Sequence, residues 1–202
     1  MQDSLIKLIA IKIDFNFKKH LYLLNKNSQL KILNYKFKRD QNIAFASEIL
    51  KYYYLAKYLG IEPKKIKIAN SKYGRPFLVD NPLNIDFNIS HSGEYVVMAI
   101  AYTAKVGIDI EQINYNIIPS QLANIVFSET EKKWVGDDIK KFFNIWTKKE
   151  AVLKAYGTGF GKDDFIKTCL ETDNQKFKYL IYSTEIFDKY YISVCLNAID
   201  YQ

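Results

Sequence analysis

Apolar residues recur at short intervals in IKLIAIKIDF (6–15), a pattern that predicts a strand. From Arg39 through AFASEILKYYYLAKYL to Leu59 the spacing lengthens to that of a helix, and Gly60 is placed to stop it. KIKIA (65–69) and FLV (77–79) predict short strands on either side of a turn at YGRP. IDFNIS (85–90) and YVVMAIAYT (95–103) then predict a hairpin whose turn holds His91, Ser92 and Gly93. The pattern restarts beyond a seam near Thr103–Lys105. VGIDIE (106–111) predicts a strand, and PSQLANIVF and SETEKKW predict two short helices. Ser128 is an N-cap for the second, with Glu131 at the capping-box position. A longer helix runs from about Asp138 to Tyr156, then three strands near 165–171, 177–183 and 190–197.

Both halves thus run strand, helix, several strands. Strands joined directly to strands imply mostly antiparallel sheets, hence an α+β fold of two similar subdomains, 1–104 and 105–202, packed together. No residue-level repeat accompanies this, and the order argues against a doubly wound nucleotide fold.

Composition narrows the classes. At 202 residues, 49% hydrophobic and 25% charged, the chain is globular. No apolar run approaches bilayer length, and MQDSLIKLIAIKIDF has no small-residue cleavage site, so we expect a cytoplasmic protein with no membrane partner. Cys169 and Cys195 lie in apolar segments and read as buried hydrophobes; with only two histidines and no CxxC, zinc is not expected. The net charge of +7 suits a nucleic acid, a phosphorylated cofactor or an acidic protein. Abundant Lys, Asn, Ile and Tyr also arise from A- and T-rich codons, so charge alone decides nothing.

Three stretches hold candidate chemistry. In VGIDIE, Asp109 and Glu111 share one strand face, two residues or about 6.7 Å apart, which lets two carboxylates approach one hard cation such as Mg²⁺. The plain alternative is a half-buried strand with a solvated polar face. In KYGRPFLVDNPLNIDFNISHSGEYVV, Arg75 comes after a turn glycine and Ser90 and His91 end a hairpin strand, positions suited to phosphate. Individually, His91 reads as a turn or core histidine and Arg75 as a surface charge. In WTKKEAVLKAYG, Glu150 and Lys154 stand at i and i+4, an exposed pair worth only ~0.3–0.5 kcal/mol. Phe142, Ile145, Trp146, Leu153 and Tyr156 form the apolar stripe of the same helix. The next residues, GTGFG, sit at the helix C-terminus, the wrong end of the dipole for an anion.

In this order and combination, YGRP, FNISHSG, VGIDIE and WTKKEAVLKAYGTG closely resemble the 4′-phosphopantetheinyl transferases of the monomeric type that activates surfactin synthetase. A fainter echo runs through RDQNIAFASEILKYYYLAKYLG (39–60). The resemblance implies two subdomains related by a pseudo-twofold, with coenzyme A in the cleft between them. It implies Mg²⁺-dependent transfer of phosphopantetheine to a serine of an acidic apo carrier protein, releasing adenosine 3′,5′-bisphosphate, with Mn²⁺ as an alternative ion. Asp109, Glu111 and Glu150 would hold the metal, Lys154 would contact the phosphates, and Glu150, Lys154 and Asp109 would form the catalytic set. Arg75, Ser90 and His91 would bind the adenosine and its 3′-phosphate, with Lys31 as a further basic contact. Three positions depart from the family pattern: Ser28 stands for a basic residue, Ala44 for a hydroxyl residue and Arg75 for a lysine. Glu131 matches a family acidic position as well as a capping box.

Two rivals remain. A single-stranded nucleic-acid module is suggested by many lysines and 15% aromatics, but no RNA-recognition, KH or zinc-finger signature is present. A coenzyme-A-binding relative without activity is disfavoured by the complete set of carboxylates and Lys154. We expect no nucleic-acid partner.

Overall fold

In a computed structural model, residues 6–14, 16–157, 169–170, 173–174 and 179–198 are described. The chain is α+β with antiparallel sheets in two sheet-containing halves. The first half holds β1 (Ile6–Lys12), β4 (Ile85–Ser92) and β5 (Tyr95–Tyr102) in the order β1-β5-β4, plus a ribbon of β2 (Ile68–Asn70) and β3 (Pro76–Leu78). The second holds β6 (Ala104–Gln112), β7 (Asp173–Asn174), β8 (Tyr179–Ile186) and β9 (Tyr190–Ala198) in the order β6-β9-β8-β7.

Side-chain alternation decides which way each strand faces. In β4, Ile85, Phe87 and Ile89 turn into the N-terminal core with Leu50 and Leu55, leaving Asp86, Asn88, Ser90 and Ser92 on the other face. β5 is apolar on both faces. Val96, Met98 and Ile100 join the N-terminal core, while Val97, Ala99 and Ala101 pack with Val106, Ile108 and Ile110 of β6 and Val194 and Leu196 of β9. The two halves therefore share a buried layer, and each fully buried aliphatic side chain in it contributes roughly 2 kcal/mol.

The N-terminal helical region contains α1 (Lys26–Leu33), α2 (Lys38–Ile49) and α3 (Leu55–Leu59). A π-turn at Leu50–Tyr54 joins α2 to α3, where a single uninterrupted helix was expected, and Gly60 stops the run at φ 65°. α1, and a 3₁₀ segment at Phe17–Leu23, have no counterpart in the predicted elements. α1 buries only Ser28 and Ile32, too few positions to leave a helical period. In the second half α4 (Pro119–Val126) and α5 (Glu129–Val135) precede α6 (Ile139–Tyr156). Asp138 caps α6 by accepting from the Lys140 and Lys141 amides, and Gly157 ends it in the left-handed region at φ 69°. Phe142, Ile145 and Leu153 are buried as the stripe requires, whereas Trp146 and Tyr156 are half-buried.

Two expectations need correction. His91 belongs to β4 rather than to the hairpin turn, because pairing continues to Ser92↔Tyr95 and only Gly93 and Glu94 turn the chain. β2 begins at Ile68, since Pro63–Lys65 is a 3₁₀ turn. Of the strand expected at 165–171, only Cys169 and Leu170 fall within the described residues. The strands expected at 177–183 and 190–197 match β8 and β9. No helix among the described residues is long and apolar enough to cross a membrane.

The closest approach in the second half is β6 against α6. A Cβ built on Gly107 would collide with the carbonyl oxygen of Ala151 and lie 2.5 Å from the Ala155 amide nitrogen. Gly107→Ala is therefore expected to separate strand from helix and to cost about 2 kcal/mol or more. A lowered urea midpoint in equilibrium unfolding checks it.

Candidate active site

β4 and β6 lie side by side at the boundary between the halves, yet belong to different sheets. Polar side chains of β4 substitute for a backbone ladder. The Val106 amide donates to Asp86 Oδ2 at 2.8 Å, the Ile108 amide to Asn88 Oδ1 at 3.0 Å and the Gln112 amide to Ser92 Oγ at 3.0 Å. Three amides along the β6 edge are thus satisfied by short side chains on one face of β4.

The same face reaches the β6 carboxylates. Ser90 Oγ donates to Asp109 Oδ1 at 2.9 Å, and Ser92 Oγ donates to Glu111 Oε2 at 2.8 Å. The S-x-S of NISHSG is therefore set against the D-x-E of GIDIE, one hydroxyl to each carboxylate. Asp109 is buried, 3% exposed, so the solvated-face alternative fails for it. Its carboxyl is raised above the usual range by burial, which outweighs the opposing pull of Lys154 and Ser90. Glu111 is raised by burial and by Asp109, against hydrogen bonds from Ser92 and Trp146.

α6 supplies the opposite wall. Lys154 Nζ donates to Asp109 Oδ1 at 2.6 Å and to Ser90 Oγ at 2.8 Å. Its ion pair is thus with the strand, not with Glu150 one turn earlier. Glu150 is half-buried, and its carboxyl is pushed up to about 7 by burial and then by the charge of Asp109, with Glu111 adding and Lys154 opposing. Helix and strand carboxylates therefore lie near enough to feel one another's charge, while Glu150 lines a cavity with Lys154 and Glu111 lines another with Trp146.

The remaining expected contacts divide between two cavities. One, of about 240 Å³, is lined by Arg75, Asn88, Glu150 and Lys154. Another, of about 300 Å³, brings Lys31 and His91 together with Asp40, Ala44, Glu48 and Lys51. Within the second, Glu48 pairs with Lys51 and accepts from Ser28 Oγ at 2.6 Å. Ser28, aligned with a basic family position, thus spends its hydroxyl on an acid. Arg75 is mostly buried and pairs with Asp86.

The resemblance leads one to expect three carboxylates, Asp109, Glu111 and Glu150, as the ligands of Mg²⁺. Asp109 Oδ2 is buried without a hydrogen-bond partner, and the Glu150 carboxyl is pushed up to about 7 by burial first and then by its acidic neighbours. An orphaned carboxylate oxygen amid acidic groups fits a hard divalent cation. Among the described residues no three His, Cys, Asp or Glu side chains are gathered closely enough to enclose an ion. Asp109 accepts from Lys154 and Ser90, and Glu111 from Ser92.

Glu131 occupies a separate, structural position. Its side chain closes the capping box by accepting from the Ser128 amide at 2.8 Å, accepts from the Cys169 amide at 2.7 Å and pairs with Lys149 at 2.9 Å. Sequence reasoning missed this role of Lys149, along with those of Ser92, Asn88 and Asp86. The signal for the last three was present: polar residues at every second position of IDFNISHS, twenty residues ahead of the β6 positions they bind.

Comparison with known proteins places the chain in a family. Residues 13–103 match the family model of the 4′-phosphopantetheinyl transferase N-terminal region, and residues 105–196 match that of the 4′-phosphopantetheinyl transferase superfamily. The chain is 31% identical to the 4′-phosphopantetheinyl transferase gsp of Aneurinibacillus migulanus over 95% of its length and 86% of the relative's. It is 36% identical to the 4′-phosphopantetheinyl transferase HetI of a Nostoc strain over 57% of this chain and 52% of that one. It is 34% identical to a Bacillus subtilis 4′-phosphopantetheinyl transferase over 52% and 47% respectively. The chain is a transferase and belongs to the 4′-phosphopantetheinyl transferase family.

Glu131 and Lys149 are 0% and 5% exposed. Breaking a buried pair strands one charge and costs about 3–5 kcal/mol. Glu131→Gln is expected to lose stability on this scale, read as a drop in unfolding free energy by urea titration.

Proposed function

We propose that this enzyme transfers 4′-phosphopantetheine from coenzyme A to a serine of an apo carrier protein and releases adenosine 3′,5′-bisphosphate. The observation that carries this reading is the gathering of Asp109, Glu111, Glu150 and Lys154 where β4, β6 and α6 meet. The arrangement suits a reaction in which a hydroxyl attacks a pyrophosphate and charge accumulates on phosphate oxygens.

Each residue has a place in that reaction. The serine oxygen forms a bond to the β-phosphorus, and the bond from that phosphorus to the bridging oxygen breaks, leaving the bisphosphate as the anionic product. Lys154, held over the cleft by Asp109 and Ser90, sets a fixed cation against the developing charge. Glu150, which lines the same cavity as Lys154, would take the serine proton directly or through a water it holds. Asp109, Glu111 and Glu150 would hold Mg²⁺, which supplies charge neutralisation at the pyrophosphate when bound. Ser90 and Ser92 keep the β6 carboxylates oriented.

The cavity containing Arg75, Asn88 and Lys154 and the one containing Lys31 and His91 are the proposed seats of the coenzyme's phosphates and adenosine. The net charge of +7 supports a polyanionic coenzyme and an acidic carrier protein. We place the enzyme in the cytoplasm as a monomer, with Mn²⁺ able to replace Mg²⁺.

Purified protein incubated with coenzyme A, Mg²⁺ and an apo carrier protein is expected to add one phosphopantetheine mass to the carrier. Intact-protein mass spectrometry reads the shift, and excess chelator removes it. No shift with fatty-acid, peptide-synthetase or polyketide carriers overturns the reading. Asp109→Asn is expected to lower turnover by about 100-fold or more, the scale for losing one electrostatic element of a site. Because Lys154 is 29% exposed and water replaces its lost partner, the circular dichroism spectrum stays unchanged.

A further inference from the structure

Arg75 was expected to meet the coenzyme's anionic end, and its environment points elsewhere. The turn that carries it is rigid. The Ser71 amide donates to the Arg75 carbonyl at 2.8 Å, the Arg75 amide donates to Ser71 Oγ at 3.2 Å, and Gly74 takes φ 83°. Pro76 favours extended backbone at Arg75, whose side chain reaches Asp86, Val106 and Lys154.

There the guanidinium is almost fully committed. Nη1 and Nη2 donate to the two oxygens of Asp86 at 2.9 and 2.6 Å, Nη2 also donates to the Val106 carbonyl at 2.7 Å, and Nε donates to the Lys154 carbonyl at 2.9 Å. That is four bonds from the five N–H groups of a guanidinium. Asp86 in turn accepts from the Val106 amide, so the pair grips both backbone groups of one β6 residue. The two side chains are only 11% and 7% exposed. The methylene stem covers the end of α6: a Cβ on Gly157 would lie 2.8 Å from Arg75 Cδ.

Both carbonyls belong to backbone that carries the site. Val106 precedes Asp109 by three residues on β6, and Lys154 is the residue whose Nζ reaches Asp109 and Ser90. One planar group thus fixes strand, helix end and first half relative to one another, next to the cleft. The bidentate Asp86 carboxylate, which Lys105 also approaches at 3.6 Å, and the two carbonyls together occupy four of the five guanidinium N–H groups, so the group has little hydrogen-bonding capacity left for an external anion.

We propose that Arg75 is a positioning residue that latches the end of α6 to β6 and holds Lys154 in register with Asp109, rather than a contact for the coenzyme's phosphates. Lysine, the residue the family pattern carries here, offers one ammonium and cannot span the three acceptors together. The inference rests on the reading that coenzyme A occupies this cleft.

The test compares wild type, Arg75→Lys and Asp86→Asn in the carrier-labelling reaction, with coenzyme A binding by calorimetry and backbone hydrogen exchange on the same samples. The latch predicts that Arg75→Lys loses about 10–100-fold in kcat, the scale of a small misplacement, while KM and Kd for coenzyme A stay within about threefold. It predicts faster exchange in the last turn of α6 with β1–β5 unchanged. Asp86→Asn, which leaves the guanidinium charge unneutralised, loses kcat in the same way without tighter binding. A phosphate contact gives the opposite: Arg75→Lys keeps kcat, and Asp86→Asn lowers the coenzyme Kd. Either result, or unchanged exchange at the end of α6, overturns the latch. If Arg75→Lys does not fold, Asp86→Asn decides by the sign of its Kd change. If wild type transfers nothing from coenzyme A, the functional reading fails, and the exchange data still decide the latch.

Discussion

Everything at the site hangs on the side-chain ladder between β4 and β6. Two sheets end there with edges that cannot pair in the ordinary way, and Asp86, Asn88 and Ser92 supply the missing acceptors to β6 amides. A buried amide left without an acceptor costs about 1–3 kcal/mol, so the ladder is a condition for the boundary to exist. It also fixes register: a one-residue slip of β4 would exchange this polar face for Ile85, Phe87 and Ile89. Since Ser90 and Ser92 sit on the same face, the register that closes the boundary also sets a hydroxyl against each β6 carboxylate.

This arrangement explains how three acids persist so close together. Burial raises all three, the charge of Asp109 adds to the rise of Glu111 and Glu150, and serine hydroxyls, the Trp146 side chain and Lys154 oppose it. The opposition is partial, as the orphaned Asp109 Oδ2 shows. A site left short of positive charge in this way favours a cationic or phosphate-bridging visitor. The rigid frame around it, with Gly107 against Ala151 and Glu131 against Lys149, leaves little scope for the carboxylates to relax apart.

Much of this was legible in the residues. Antiparallel α+β order, the strand at VGIDIE, the helix from Asp138 to Tyr156 and the capping box at Ser128 come from local pattern, and the structure agrees with each. α1 was not legible, because a helix that buries two side chains leaves almost no period. The π-turn at Leu50–Tyr54 was not either, since a single register slip leaves the apolar spacing nearly unchanged. At the site, Asp109, Glu111, Glu150, Lys154 and Ser90 were singled out by the resemblance, each stretch being ambiguous by itself. Which β4 residue meets which β6 residue was not legible, because strand alternation marks a polar face without naming the residues nineteen or twenty positions away that it binds. The i, i+4 relation of Glu150 and Lys154 suggested that they pair, whereas Asp109 offers Lys154 a drier and closer acceptor.

β5 has a consequence for how the chain is made. Its Val97, Ala99 and Ala101 face is covered by β6 and, from the far end of the sequence, by Ile192, Val194 and Leu196. During synthesis the first half therefore emerges with an apolar sheet face bare. At roughly 5–20 residues per second, the ninety-odd residues to β9 take about 5–20 s. For that interval β6, which follows β5 directly, is the one part of the cover already made, and Ile192, Val194 and Leu196 complete it last. The layer that joins the halves in the finished enzyme is thus a period of exposure at birth, and it binds the folding of the first hundred residues to the translation of the last.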